Sequence, residues 1–377
     1  MISDGANTYA FKHRFVEPRL PPISSYMDYL QSAYDRKIYS NFGPLTALFE
    51  ERAMAKYGGG AECCVTVTSA TAGLSAALLA SGVSGRVLVP AFTFPASLGA
   101  VKAAGLEPVI IDVDAASWAA SATILKRAFD QEKPGGVMLV APFGMNYSFA
   151  EEIAFCREQG VPVIIDNAAG LGVVRTPRCS QPGIFEVFSL HATKTFAVGE
   201  GGVVFAHESH QRGLRSVTNF GLRAGADTAA RWGFNGKLSE FHAAIALAQL
   251  DNIDEAVRCR RLFAASYYDR IAVLRAKLPV SVDDAPWQCM PLLCSDEATA
   301  DALEARSARE GVELRRYYRP SLSRWPEARA LWPCENAEDL SVRMCALPVR
   351  GDDDAVVRLE IVNIIAEIVE ELEGNGA

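Results

Sequence analysis

Short, continuously apolar segments alternate with helical segments along residues 60–205 of the chain. The apolar segments are bounded by proline, glycine or aspartate, which is typical of strands buried on both faces of a sheet. The segments between them have the length and composition of helices. The pattern therefore predicts a mostly parallel sheet covered by helices, with strands at 86–90, 108–112, 136–140 and 161–165 and helices at 70–81, 95–104, 122–130 and 149–159.

Two further strands are predicted at 185–190 and 202–206, with too few residues between them for a helix, so the sheet is expected to be mixed. From residue 238 the pattern changes. It predicts a helix at 238–271 with a possible break at Asp251-Asn252, a strand at 288–293, a helix at 298–310, a strand at 312–318 and a helix at 354–373. We therefore predict an α/β protein with a large domain at 1–255, including an N-terminal arm, and a smaller C-terminal α/β domain at 256–377.

Composition narrows the possible functions. The 377-residue chain has a net charge of −8 and no basic stripe, which argues against a nucleic-acid partner. Arg258, Arg260 and Arg261 cluster in the long predicted helix and are interpreted as a solvated face. The nine cysteines form no CxxC pair and no metal-ligand spacing, so we expect reduced thiols and no metal site. No apolar run is typical of a signal peptide or a membrane span, and we expect a cytoplasmic protein without a membrane partner.

Lys194 is the first candidate catalytic residue. It follows an apolar strand and precedes the turn at 199–202, whose sequence is Gly-Glu-Gly-Gly. A lysine at a strand end would by default be a surface amine. Burial at the mouth of a sheet, however, lowers the pKa of a lysine and frees the neutral amine to form a Schiff base with an aldehyde cofactor. His191, in the same segment, is interpreted as a packing or hydrogen-bonding residue rather than a base.

Asp166 is the second candidate, because it ends an apolar run that begins at Val163. An isolated aspartate at a strand end usually caps a turn. A carboxylate there can also keep a pyridine nitrogen protonated, as the electron sink of pyridoxal phosphate (PLP) requires. Lys194 and Asp166 together predict a PLP site.

An anion site is a possible function of the segment 68–73, which joins a strand to a helix and is rich in hydroxyl groups. Free backbone N–H groups at a helix N-terminus bind phosphate well, although the segment in isolation is more typical of a simple helix cap. Phe94 follows the strand at 86–90, at the edge of the sheet where ligands bind in open α/β folds. An aromatic residue there can stack on a flat ring, or it can pack under a helix.

The motifs in this order resemble the DegT/DnrJ/StrS family of PLP-dependent sugar-nucleotide aminotransferases, which has the aspartate aminotransferase fold (fold type I). The resemblance extends from about Asn41 to the last predicted helix. It rests on the segments 41–49, 68–74 (TSATAGL), 89–94 (VPAFTF), 165–169 (IDNAA), 188–194 (FSLHATK), 199–202 (GEGG), 232–240 (WGFNGKLSE), 242–250 and 311–320. One such motif is weak evidence for the family, whereas this many motifs in the order typical of the family are strong evidence for it.

The resemblance implies a role for each matching residue. It implies that Lys194 forms the Schiff base with PLP, that Asp166 pairs with the ring nitrogen, and that Phe94 stacks on the ring. It also implies phosphate contacts for Ser69, Ala70, Thr71 and Ser189. Asn235 is implied to reach the phosphate from the neighbouring subunit of a homodimer. The candidates for substrate contacts are Arg315, Lys237 and His191. Trp232 and Phe234 are expected at the dimer interface, with the monomer's own core as the alternative.

Three positions depart from the family pattern. Ala70 replaces a glycine of the phosphate loop, and Lys237 replaces an arginine. Ala169 stands where a glutamine usually binds the phenolic oxygen of the cofactor, so that contact is missing or comes from Asn167 or a water. The lysine and the aspartate are both present.

The resemblance predicts amino transfer from an amino acid, with L-glutamate as the expected donor, to a keto-deoxy sugar carried by a nucleotide. By analogy, the Gly-Glu-Gly-Gly turn favours amination at carbon four. Two alternatives stay open: the same apparatus acts on another ketone such as a cyclitol, or the protein is a regulatory or binding member of the fold without turnover. A sugar dehydratase is disfavoured, because such relatives carry histidine in place of the lysine.

Overall fold

The computed structural model describes residues 11–173, 175–222, 232–326 and 328–374. Within these ranges the helices are α1 Ile23–Arg36, α2 Pro44–Tyr57, α3 Ala70–Ser81, α4 Pro95–Ala103, α5 Ala122–Gln131, α6 Ala150–Glu158, α7 Gln211–Val217, α8 Glu240–Arg270, α9 Ala272–Lys277, α10 Glu297–Arg309, α11 Glu335–Arg343 and α12 Ala355–Glu373. The strands are β1 Glu62–Val67, β2 Arg86–Pro90, β3 Glu107–Ile111, β4 Gly136–Val140, β5 Val163–Asp166, β6 Ile184–Ser189, β7 Gly202–His207, β8 Cys289–Leu293, β9 Arg329–Ala330 and β10 Met344–Pro348.

Eight strands form one large sheet in the order β1-β7-β6-β5-β4-β2-β3-β9. Neighbouring strands are parallel from β6 to β9, whereas β7 runs antiparallel to both β6 and β1. The prediction of a mixed sheet is therefore confirmed. As the sequence predicts, no helix lies between β6 and β7, and these two neighbouring strands are therefore antiparallel. The carboxyl ends of β2, β4, β5 and β6 consequently meet at one edge.

Both faces of this sheet are buried. Along β2, Val87 and Val89 belong to the apolar core on one face and Leu88 to the core on the other. The same alternation continues in β5 with Ile164 and Ile165. Helices α3 and α4 contribute to the first core, and α5 and the first half of α8 contribute to the second. This double burial explains why the strands are apolar at every position rather than at alternate ones.

The C-terminal part of the chain builds a second, two-stranded sheet from antiparallel β8 and β10. Strand β10 packs against α10 and strand β8 against α8 and α9, while α10 also contacts α11 and α12. Helix α8 contacts α1 and α2 at one end and β8 and α12 at the other. The domain boundary predicted at residue 255 lies within α8, and the division into 1–255 and 256–377 stays a prediction.

Two predictions about local structure are wrong, and two elements were not predicted. The helix α8 does not break at Asp251-Asn252, because the Asn252 side chain donates to the Ala248 carbonyl (2.8 Å) and stays inside the helix. The segment 312–318 forms only isolated bridges, from Val312 to His13 and from Arg315 to Ala346, because it pairs with two different neighbours instead of one strand. The pattern also missed α11 and β10, two short elements in a stretch for which no structure was predicted.

Three further features of the described residues concern the cysteines, metal binding and membrane insertion. All nine cysteines lie in the described residues as buried free thiols. Among those residues no group of three or more His, Cys, Asp and Glu side chains is arranged to hold a metal ion. In the same part of the chain, no helix has both the length and the apolar character needed to cross a membrane.

Candidate active site

The loop that follows β6 carries Lys194 back over the edge of the sheet. The Leu190 N–H donates to the Gly201 carbonyl (2.9 Å), and the Ala192 N–H donates to the Gly199 carbonyl (2.8 Å). The Lys194 N–H then closes a tight turn onto the His191 carbonyl (2.9 Å). These backbone bonds tie the lysine to the glycine-rich turn, as its position in the sequence suggests, and bring it to the edge where β5 ends.

Asp166, the last residue of β5, is a buried carboxylate with a defined set of partners. Its Oδ2 accepts a hydrogen bond from the Ser97 hydroxyl (2.7 Å), and its Oδ1 accepts one from the Ala168 N–H (3.2 Å). The Ser97 hydroxyl in turn lies 2.8 Å from that of Thr93. Burial raises the pKa of Asp166, and these hydrogen bonds and the charge of Lys194 act in the opposite direction. A cation brought beside this carboxylate would favour its ionised form.

Lys194 has the electrostatic environment expected of a reactive amine. Burial lowers the pKa of its side chain, and the nearby Asp166 carboxylate and Cys289 thiol raise it by smaller amounts. The Lys194 Nζ donates a hydrogen bond of 2.8 Å to the Gln288 Oε1. A lowered pKa increases the fraction of neutral amine, which is the nucleophilic form.

The sequence analysis did not identify Gln288. It lies 94 residues from Lys194 along the chain, immediately before β8 in the C-terminal part. No local motif marks it, so only the tertiary structure reveals the contact. Tyr318 was missed as a site residue too. Its ring stacks on Phe143 (5.6 Å between centroids, 15° between planes), and burial raises the pKa of its hydroxyl, with smaller contributions in the same direction from Cys289 and Asp166.

The first turn of α3 presents backbone N–H groups at the same edge. The Ser69 side chain caps the helix by accepting from the Ala72 N–H (3.1 Å), so the simple cap read from the sequence is present. Within the described chain, however, the N–H groups of Ala70 and Thr71 have no hydrogen-bond partner. Gly202 makes room for this turn, because a Cβ there would lie 2.9 Å from the Ala70 nitrogen. Unpaired N–H groups at a helix N-terminus suit an anionic ligand.

The other predicted residues lie in different surroundings. Phe94 directly precedes α4 and is 56% exposed. The buried Ser189 side chain accepts from the His191 N–H (3.2 Å). The His191 Nδ1 accepts from the Thr193 N–H (3.2 Å), and its Nε2 lies 3.6 Å from a Glu200 carboxylate oxygen. His191 is thus a hydrogen-bonding residue in the described chain, in agreement with its sequence interpretation.

Two of the substrate candidates have other partners. The Lys237 Nζ donates to the Asn219 side chain (2.8 Å) and lies 4.6 Å from the centre of the Phe220 ring, and burial lowers its pKa. The Arg315 guanidinium pairs with Glu313 (2.7 Å) and lies 5.8 Å from the centre of the Phe15 ring. These contacts do not join either residue to Lys194 or Asp166, so a role in substrate binding stays a prediction.

The Asn235 loop approaches the α3 loop of its own chain. The Gly236 carbonyl accepts a hydrogen bond from the Thr68 N–H (2.9 Å), while Asn235 is exposed and forms a bridge to Asn219. Asn235 therefore lies near the start of α3, and its side chain is exposed.

The Asn167 side chain contacts a buried ionic cluster. Its side-chain Nδ2 donates to the buried Glu186 carboxylate (3.0 Å), which also binds Arg175 (2.5 Å). The Asn167 Oδ1 is buried and has no hydrogen-bond partner in the described chain. With Ala169 at the usual glutamine position, a cofactor contact from Asn167 stays a prediction.

Comparison with known proteins identifies the family. The model of the DegT/DnrJ/EryC1/StrS aminotransferase family matches residues 24–365. Protein Rv3402c of Mycobacterium tuberculosis is 30% identical over 375 residues, with 94% of this chain and 89% of the relative covered. The dTDP-4-amino-4,6-dideoxy-D-glucose transaminase of Shigella dysenteriae is 25% identical over 366 residues, covering 93% of this chain and 98% of the relative.

A solved structure agrees with both sequence comparisons. The crystal structure of DesI in the presence of its TDP-sugar product superimposes with a TM-score of 0.85 at 27% identity, covering 97% of this chain and 96% of that one. The fold is therefore that of the fold type I PLP-dependent aminotransferases, as predicted. The family match spans the site as well as the sheet. The chain belongs to the DegT/DnrJ/EryC1/StrS aminotransferase family and is a PLP-dependent aminotransferase.

Proposed function

We propose that the protein transfers an amino group from an amino acid, with L-glutamate as the first candidate, to the ketone of a nucleotide-linked deoxy sugar at carbon four. The observation that carries the proposal is the Lys194 amine next to the buried Asp166 carboxylate, at the sheet edge where α3 begins. The name of the Shigella relative, which specifies a 4-amino-4,6-dideoxy sugar on dTDP, supports the choice of carbon and carrier.

The described residues fit PLP. Asp166 would hold the ring nitrogen, because a protonated pyridine supplies the partner that its buried carboxylate lacks. The free N–H groups of Ala70 and Thr71, with the side chains of Ser69 and Ser189, would hold the phosphate at the start of α3. Phe94, exposed at the same edge, would cover the face of the ring. Lys194 would hold the cofactor covalently through Nζ.

Each of these residues then has a separate task during amino transfer. When bound, PLP supplies the electron sink that makes the substrate carbon acidic. The Lys194 Nζ, whose pKa is lowered by burial, would accept the proton from one carbon and return it to another. Asp166, whose carboxylate is held by hydrogen bonds from Ser97 and Ala168, would stabilise the protonated form of the ring nitrogen. Phe94 and the α3 turn orient the bound molecule.

We expect the two halves of the reaction to be separable by absorbance. Glutamate alone should convert PLP-loaded protein to the spectrum of pyridoxamine phosphate, and addition of the correct ketone should restore the first spectrum. A panel of nucleotide-linked 3-keto and 4-keto sugars, together with a keto cyclitol, identifies the acceptor, and mass spectrometry identifies the aminated product. Restoration by the cyclitol alone would replace the sugar proposal with the cyclitol alternative. The absence of any spectral change with all amino acids would favour the binding-protein alternative.

We further propose a homodimer with shared sites. Several large apolar side chains on the α1 surface and beside the Asn235 loop are exposed, and they include Ile23 (62%), Met27 (49%), Tyr34 (58%), Phe220 (54%) and Trp232 (82%). An apolar surface of this kind typically marks an interface. The exposure of Trp232 excludes the alternative in which it fills the core of its own chain. Phe234, in contrast, is half-buried against that core.

Mixed dimers test whether Asn235 acts across the interface. We expect a purified heterodimer of Lys194→Ala and Asn235→Ala chains, selected by two different tags, to have about half the wild-type activity, because one of its two sites has neither substitution. A heterodimer of Lys194→Ala and Asp166→Asn chains is the matched control. Both of these residues act within one chain, so neither site is intact and activity stays at the level of the variants. An inactive Lys194→Ala/Asn235→Ala heterodimer would show that Asn235 serves its own chain.

A further inference from the structure

The amine of Lys194 is bound by a neutral group from the opposite part of the molecule. Gln288 Oε1 accepts a hydrogen bond from Lys194 Nζ (2.8 Å), and Gln288 directly precedes β8. The other groups that act electrostatically on this amine are Asp166, from β5, and Cys289, from β8. A carboxylate at position 288 would favour the ammonium form of the lysine strongly, whereas an amide oxygen orients the amine without adding a charge.

A buried arginine holds the backbone of Gln288 in place. Arg260, on α8, is only 7% exposed, so the interpretation of the 258–261 cluster as a solvated face is wrong for this residue. Its Nη1 donates to the carbonyl oxygens of Trp287 (3.1 Å), Gln288 (3.4 Å) and Val349 (3.1 Å). Within the described chain it forms no ion pair, although the Asp352 carboxylate acts on it at longer range. Burial lowers its pKa to about 10.

A buried cation without a carboxylate is costly, and three carbonyl groups only partly replace its hydration. The conformation that it stabilises is the entry to β8, where the chain turns from Trp287 into the active-site edge. The Trp287 ring is buried and donates to the Val282 carbonyl, which holds the same turn from the other side. The turn that leads into β8 is therefore held by Arg260 and by the Trp287 ring.

We propose that Gln288 is a positioning residue for Lys194, held by Arg260, that orients the lysine amine through an uncharged hydrogen bond whenever the amine is not bonded to the cofactor. This proposal rests on the proposed role of Lys194. Because Gln288 belongs to the C-terminal part of the chain, that part would help to orient the reacting amine. The neutrality of the acceptor is the essential property, because it leaves the amine free to lose its proton.

The test measures the reactivity of Lys194 in the full-length protein freed of cofactor. The pH dependence of its acylation by acetic anhydride, read by peptide mass spectrometry, reports the fraction of neutral amine. We expect Gln288→Glu to slow acylation at pH 8 by about tenfold or more, because a carboxylate favours the ammonium form. Gln288→Met, similar in size but without an acceptor, should increase acylation at the same pH. Gln159→Glu, an exposed amide-to-carboxylate change on the distant end of α6, is the matched control and should have no effect.

The role of Arg260 is tested by comparing Arg260→Lys with the same substitution at the neighbouring Arg261. Arg260→Lys, which cannot reach all three carbonyls, should change the acylation profile in the direction of Gln288→Met. Arg261→Lys is the control, because Arg261 donates to the Ala285 carbonyl (3.3 Å) and not to Gln288. If Arg260→Lys fails to fold, the two Gln288 variants still decide the role of the amide. Acylation profiles of both Gln288 variants that match the wild type within about twofold would overturn the proposal.

A separate measurement distinguishes this proposal from the proposed function. Borohydride treatment of the wild-type protein with PLP shows which lysine carries the cofactor. If Lys194 is labelled and the Gln288 variants have unchanged acylation profiles, the proposal about Gln288 fails while the function stands. If another lysine is labelled, the function assigned to Lys194 fails and the proposal built on it fails too.

Discussion

Lys194→Ala is expected to abolish amino transfer while the protein remains folded. The substitution removes both the group that holds the cofactor and the group that moves the proton, so we expect activity to fall by about 10⁴-fold or more. The fold should persist, because removing a buried amine whose pKa is already lowered by desolvation loses little stabilising energy. The measurements are steady-state activity and thermal unfolding of the cofactor-free protein.

The same experiment includes a labelling step. In the wild type, borohydride should fix PLP to the peptide that contains Lys194 and to no other peptide, and the Lys194→Ala protein should remain unlabelled. Lys133→Ala, on the exposed surface after α5, is the matched control and should keep full labelling and activity. Labelling of a second peptide in the wild type, or full activity of Lys194→Ala, would refute the assignment.

Asp166→Asn is expected to have the second largest effect. The amide cannot stabilise the protonated ring nitrogen of the cofactor, and the loss of a neighbouring opposite charge lowers the pKa of such a group by about 1 to 3 units. Activity should therefore fall by about 10-fold to 10³-fold. Burial raises the pKa of Asp166 in the folded protein, so ionisation of this group lowers stability as the pH rises. Thermal stability of the cofactor-free variant at neutral pH should consequently be no lower than that of the wild type.

Asp112→Asn provides a matched control for the aspartate. Asp112 follows β3 at the same edge and is buried, but its carboxylate caps α11 by accepting from the N–H groups of Asn336 (3.1 Å) and Ala337 (2.9 Å). We expect this variant to lose about 1 kcal/mol of stability and to keep its activity. If Asp112→Asn lost as much activity as Asp166→Asn, the effect at Asp166 would be structural rather than chemical.

Local patterns predicted the elements of the large sheet well. The strands Arg86–Pro90 and Gly136–Val140 and the helix Ala70–Ser81 have the predicted bounds. Burial of both faces makes such strands apolar at each position, and turn residues bound them, so the signal lies within a few consecutive residues. The stretch 312–318 was mistaken for a strand because its composition fits one, whereas its single bridges to two different partners depend on packing.

Only those site residues were predicted whose positions follow from the order of the strands along the chain. Lys194 and Asp166 follow adjacent parallel strands, and parallel topology brings such strand ends to one edge. Gln288 had no such signal. Asn167 was considered for the site, yet its amide binds Glu186, because a buried carboxylate requires donors more strongly than an open edge does.

The amino-acid sequence alone therefore determined the mixed α/β architecture, the aminotransferase family and the lysine and aspartate, because each is encoded in short segments by burial and turn chemistry. The tertiary structure decided which residues surround that pair. It brought Gln288 to the lysine, buried Arg260 behind it and left Trp232 exposed. These outcomes depend on how distant elements pack. Hydrogen bonds between residues far apart in the chain produce no recognisable pattern in the sequence.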